Sequence, residues 1–137
     1  SRLQRQMCIR DRDKILAGAL ADDDRTIISS HRLMLEGYER NMGGNTSIGC
    51  IITNADLTKT ECRMVSTMAH DGLARSIRPV HTSMDGDTLF TMASGEVKTT
   101  IDTVGYLAEE AVRLAVLDAA ASAEGMGGRP AYRDIIK

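Results

Sequence analysis

The stretch Gly43-Gly44-Asn45-Thr46-Ser47, followed at once by Ile48-Gly49-Cys50-Ile51-Ile52-Thr53, decides how this chain is read. Two glycines and an asparagine supply a backbone that takes φ > 0 and bends sharply. The apolar, β-branched run after them reads as a buried strand over 47–53. A threonine therefore stands where a flexible turn becomes a rigid strand. Its hydroxyl is held at a fixed point while the peptide bond before it can be distorted. Such a threonine suits self-cleavage: Oγ attacks the Asn45 carbonyl, the acyl group shifts from N to O, and water completes the cut. The new chain then begins at Thr46, with a free α-amine beside the nucleophilic hydroxyl. Three plainer readings compete. On local sequence alone the stretch is a turn entering a strand. Asn45-Thr46-Ser47 also fits the sequon N-x-[ST], which carries weight only in a secreted eukaryotic protein. A glycine-rich turn can hold phosphate, but neither G-x-x-x-x-G-K-[ST] nor G-x-G-x-x-G occurs here.

The bulk composition narrows the field. The chain has 137 residues, 42% apolar and 26% charged, which fits one globular domain able to bury a core. A net charge of −2 leaves no basic footprint for nucleic acid, and 3% aromatics without tryptophan leave no stacking platform for bases. No apolar run approaches the roughly 18–20 residues of a membrane helix, so neither nucleic acid nor membrane is expected as a partner. Ser1 to Arg12 lacks the apolar centre of a secretory signal. Cys8, Cys50 and Cys62 are widely spaced and form no C-x-x-C, which favours a reduced, cytoplasmic location. Cys50 and Cys62 read as small buried thiols.

Residues 1–12 stand apart. Met7-Cys8-Ile9-Arg10-Asp11-Arg12 resembles translated read-through of a sequencing adaptor, and 1–12 are left out of the fold reading as non-native. From Asp13 to Ala21 the spacing of Ile15, Leu16, Ala19 and Leu20 suits a short helix. Asp22-Asp23-Asp24 ends it as a solvated turn; no further ligand follows at metal-binding spacing. His31 to Arg40 is compatible with another short helix.

Beyond the strand, Thr58-Lys59-Thr60-Glu61 is a capping-box pattern, with Thr58 as N-cap and Glu61 reaching back. The helix runs to about Ile77 with an apolar stripe of Cys62, Val65, Met68, Ala69, Leu73 and Ile77. Arg78-Pro79 stops it. Met84-Asp85-Gly86-Asp87 is a turn, Thr88 to Ala93 alternates as a strand, and Ser94-Gly95-Glu96 turns again. A second helix spans about Thr100 to Glu124, and Val112 and Val116 widen its apolar face enough to predict burial on more than one side. Gly125, Gly127 and Gly128 end it, and the polar tail packs only in part.

Asp85-Gly86-Asp87 is the second chemical feature. The intervening glycine lets two carboxylates converge just ahead of a strand. Near an amino-terminal threonine they would hold its ammonium and hydroxyl and steer the proton from Oγ. Standing alone, the motif is a hairpin turn with two acids. His81 with Asp85 would make a Thr-His-Asp arrangement, but an α-amine already supplies the base. His70 reads as a hydrogen-bonded structural histidine.

The ordered series changes the balance. Gly44-Asn45-Thr46-Ser47-Ile48-Gly49, Asn54-Ala55-Asp56-Leu57-Thr58-Lys59, Met68-Ala69-His70-Asp71-Gly72-Leu73-Ala74-Arg75, Ile77-Arg78-Pro79-Val80-His81-Thr82 and Asp85-Gly86-Asp87-Thr88 follow one another. Together they resemble the C-terminal part of the L-aminopeptidase/D-esterase family, which also holds the β-aminopeptidases and the nylon-oligomer hydrolases. The resemblance is strong over 44–95 and general beyond. It implies an α/β fold, part of an αββα four-layer sandwich with two helices covering a mixed sheet. It implies self-cleavage between Asn45 and Thr46, leaving a β chain of 46–137 with Thr46 as nucleophile. Asp85 and Asp87 match the two assisting aspartates of the nylon-hydrolase branch. The expected activity is release of N-terminal residues from peptides or hydrolysis of short amides, with no cofactor and no metal. The expected assembly is an oligomer of αβ units. Residues 13–45 would be the end of the α chain and its linker, and the rest of that chain, with its oxyanion-binding groups and much of the pocket, is not matched here. The chain then reads as a C-terminal fragment, with little activity alone. Two alternatives remain: an acyltransferase of the ornithine-acetyltransferase type, and an inactive fragment or structural subunit.

Overall fold

Alternation in the decisive strand sets the architecture. The computed structural model describes residues 7–21, 23, 25–37, 46–83 and 85–135. In chain order the elements are β1 (Cys8–Asp11), β2 (Lys14–Ala17), β3 (Ala19–Leu20), β4 (Ile27–Ile28), α1 (Ser30–Leu35), β5 (Ile48–Ala55), α2 (Lys59–Ser76), β6 (Ile77–Arg78), β7 (Thr88–Val97), α3 (Ile101–Ser122) and α4 (Tyr132–Ile135). Along β5, Ile51 and Ala55 are buried, while Ile48, Cys50 and Ile52 are exposed. On β7, Leu89 is buried, with Phe90 and Met92 exposed. Period-two alternation thus turns one face of each strand towards the helices.

β5 and β7 pair in parallel, from Ile48 opposite Thr88 to Thr53 opposite Ala93. Parallel neighbours need a crossover, and α2 is the main element of it. The capping box is formed: Thr58 Oγ1 accepts from the Glu61 amide, and the Glu61 carboxylate accepts from the Thr58 amide at 2.7 Å. That closes orphan donors at the helix start. The buried stripe of α2 is Val65, Ala69, Gly72, Leu73 and Ser76. With Ile51, Ala55, Ile77, Leu89, Val104 and Ala108, its apolar members form the core.

The two long helices approach closely because both carry glycine at the crossing. A Cβ built on Gly72 would fall well inside van der Waals contact with the Glu109 carbonyl oxygen, and 3.0 Å from Val112 Cβ. Gly105 receives the Met68 side chain in the same way. Arg75 braces the pair from outside, donating to Glu109 at 2.6 Å and also to Glu110, which itself accepts from Arg113.

A second, antiparallel sheet has the order β2-β1-β6. The α/β class therefore holds, with parallel and antiparallel pairings in separate sheets. Several local expectations are overturned. The helix expected from Asp13 to Ala21 is instead β2 and β3, because pairing with β1 and β4 outweighs a weak local helix pattern. Residues Cys8 to Asp11, left out of the sequence reading, form the central strand of the second sheet, and the Cys8 thiol is buried against Ser30. The helix expected to about Ile77 ends as read, with Ile77 capping it and pairing with Ile9. The turn expected at 94–96 is part of β7, where Gly95 at φ 81 and a register shift opposite Thr53 to Ala55 mark a bulge. Cys50 is exposed, since it shares the parity of Ile48 and Ile52. α3 buries Val104, Gly105, Ala108 and Ala120, while Leu107 and Leu114 stay exposed on its far side. Asp23 does cap a solvated turn, its carboxyl drawn down to about 2 by hydrogen bonds from the Thr26 hydroxyl and amide and from the Arg25 amide.

Candidate active site

Parallel pairing brings the starts of both strands to one edge of the sheet. Ile48 lies opposite Thr88, so Thr46 and Ser47 stand beside Gly86 and Asp87. The Thr88 amide donates to the Ser47 carbonyl at 2.8 Å, and the Ser47 amide donates to Asp87 Oδ1 at 2.9 Å. Both peptide groups of Ser47 are thereby tied to the start of β7. Thr46 is exposed, and a Cβ built on Gly86 would lie 3.1 Å from its Oγ1. The absence of a side chain at 86 is what lets the hydroxyl sit against the Asp85-Gly86-Asp87 backbone. Asn45 lies outside the described residues.

The two aspartates do different work. Asp85 is bound within its own loop: its Oδ2 accepts from the Thr82 amide and hydroxyl, both at 2.9 Å, and its amide donates to the Thr82 carbonyl. Asp87 reaches across to the other strand. It shares the inward parity of Leu89, and its side chain is only 2% exposed. Burial opposes its charge, but the Ser47 amide and hydroxyl and the nearby His81 outweigh that, so its carboxyl titrates below the ordinary value of 3.8. A carboxyl depressed in the folded state stabilises the fold above its unfolded pKa and loses that contribution as pH falls through the folded value. Acid titration of the full-length protein should therefore show a stability loss below pH 3.8 that Asp87→Asn reduces. Identical acid limbs in circular dichroism for both proteins would remove Asp87 as the cause.

The sequence reading weighed His81 only beside Asp85 and set that arrangement aside. In the structure His81 Nδ1 lies 2.9 Å from Asp87 Oδ2, so the loop pairs it with Asp87. It holds φ 56, a left-handed backbone that costs a non-glycine residue roughly 1–2 kcal/mol. Its ring packs on His70 of α2 with centroids 4.9 Å apart. His70 is thus a ring neighbour of the loop. The strand parity of Asp87 with Leu89 was the available signal that this carboxylate turns inward.

Beside Ser47 a cavity of about 780 Å³ follows β5, floored by Val112 and Val116 of α3 and bounded by Ile9 of β1. Among the described residues no group of three or more His, Cys, Asp or Glu is arranged to hold a metal ion. No helix among them is long and apolar enough to cross a membrane.

Comparison with known proteins agrees with the motif series. The sequence pattern of peptidase family S58 matches residues 9–133. An uncharacterized aminopeptidase of Mycobacterium leprae is 41% identical over 103 residues, covering 64% of this chain and 28% of the relative. An uncharacterized aminopeptidase of Mycobacterium tuberculosis is 39% identical over 106 residues, 66% of this chain and 31% of its own length. A 6-aminohexanoate-oligomer endohydrolase of Kocuria sp. is 41% identical over 54 residues, 39% of this chain and 15% of the relative. The chain thus spans less than a third of the length of these curated relatives. With a family match over nearly its whole length, the chain belongs to peptidase family S58.

Proposed function

We propose that the chain carries the nucleophile of a self-cleaving amide hydrolase acting on N-terminal residues of peptides or on short amides. The observation that supports this most is the Thr46 hydroxyl against Gly86, with Asp87 holding the next peptide group. The names of the relatives, aminopeptidase and oligomer endohydrolase, point to the same bond type. In the first reaction Thr46 Oγ adds to the Asn45 carbonyl, the C–N bond breaks, and the Thr46 nitrogen takes the proton. Water then hydrolyses the ester. In turnover the freed amine of Thr46 accepts the Oγ proton as Oγ attacks the substrate carbonyl. The proton passes to the leaving amine, and water releases the acid from the acyl-enzyme. Ionised Asp87 fixes the peptide after Thr46, and Asp85 shapes the loop against which the hydroxyl rests. Oxyanion donors come from the remainder of the longer precursor.

The same proposal covers the architecture. The exposed apolar face of Ile48, Ile52, Phe90 and Met92 becomes the inner face of a four-layer αββα sandwich closed by the upstream chain, and such αβ units associate as oligomers.

Mass measurement of the full-length gene product tests the cleavage. The expected species is a separate chain beginning at Thr46. A product that stays intact after long incubation, or one cut elsewhere, contradicts the reading.

A further inference from the structure

Asp87 is a buried carboxylate whose two oxygens meet different partners. Oδ1 accepts the Ser47 amide, and Oδ2 faces His81 Nδ1 at 2.9 Å. A carboxylate anchored through one oxygen can still turn about its terminal torsion, which is broad and two-fold. Turning it would carry Oδ1 away from Ser47 and release the peptide that sets the Thr46 backbone. A second contact on Oδ2 removes that freedom. His81 is placed for this by a left-handed backbone and by the His70 ring packed on its own. A non-glycine residue in that backbone region needs its surroundings to hold it there.

We propose that His81 is a positioning residue for the reaction at Thr46. Its imidazole holds Asp87, Asp87 holds the Ser47 amide, and Ser47 sets the Thr46 hydroxyl against Gly86. The inference rests on the reading of Thr46 as nucleophile. It differs from a Thr-His-Asp relay, because His81 moves no proton to or from Oγ.

Two substitutions separate this role from loop shaping. His81→Gly suits φ 56 better than histidine does and removes only the ring. His81→Asn also tolerates that backbone and offers an amide N–H in place of Nδ1. Both are made in the full-length gene product. Self-cleavage is timed by electrophoresis after cell-free synthesis, and kcat and KM are measured on amino-acid p-nitroanilides. His81→Gly should slow cleavage and lower kcat about tenfold to a hundredfold, the scale of a misplaced reacting group, with KM nearly unchanged. His81→Asn should recover most of that loss. A His81→Gly protein as fast as wild type overturns the proposal, since the residue then only shapes the loop. Equal losses in both variants overturn it too, since a donor to Asp87 would not be what matters. Thr46→Ala in the same series keeps the two readings apart. If it still cleaves itself, the nucleophile assignment falls and the His81 role with it. If it is inert while His81→Gly is unaffected, only the His81 role falls.

Discussion

Replacing Thr46 with alanine is expected to leave the full-length precursor in one piece and to remove amide hydrolysis with it. The hydroxyl and a γ-methyl are lost, and the residue is exposed, so the fold has little to lose. Removing a nucleophile costs roughly 10⁴-fold or more in kcat, because binding and oxyanion contacts alone remain. Thr46→Ser is the informative companion. It keeps Oγ and loses the methyl group that restricts χ1. Serine should therefore still cleave, more slowly, while alanine should not. The measurement is the appearance of a chain beginning at residue 46, followed by turnover of a p-nitroanilide. Substantial activity in Thr46→Ala would show that another residue attacks.

The second large effect concerns the scaffold. Gly72→Ala should lower the stability of the full-length protein by about 2 kcal/mol: alanine favours the helix by about 1 kcal/mol, and overpacking against backbone costs about 3. The added methyl group would meet the Glu109 carbonyl oxygen, Val112 Cβ and the Arg113 amide nitrogen. Two of these are backbone atoms of α3 and cannot swing aside, so α2 and α3 must separate. Val65, Ala69 and Leu73 on the same face then lose packing density. Thermal unfolding should show the midpoint lowered by several degrees. A midpoint at or above that of wild type would mean the crossing has slack that the close contact does not indicate. Gly105→Ala should be milder, because its neighbour is the flexible Met68 side chain.

Legibility in the sequence followed the range of the interactions. α2 was readable because Thr58, Glu61 and the stripe from Val65 to Leu73 are local signals, and each is realised. β5 was readable from its apolar, β-branched run, though alternate positions of it are exposed, and the core of β7 from alternation. The meeting of Thr46 with Gly86 and Asp87 was anticipated only through the motif series, since nothing local says that the two strands are parallel neighbours. β1 to β4 were missed for a related reason. They are short, and β1 gains its place by pairing with β6 across about half the chain. β2 pairs with β1, which was left out of the reading with residues 1–12. The contact of His81 with Asp87 was missed because it depends on a left-handed backbone and on Asp87 turning inward. Asp85 lies nearer in sequence, yet its carboxylate is occupied by Thr82.

Chain ends ordinarily fray, because a terminal residue has a neighbour on one side only. An end created at Thr46 would not behave so. The residue behind it, Ser47, has its amide held by Asp87 and its carbonyl held by Thr88. Cutting the chain there removes the upstream tether but leaves the new terminus clamped one residue away. The entropy released by scission would go to the departing segment, and the newly freed amine would stay where its hydroxyl already was.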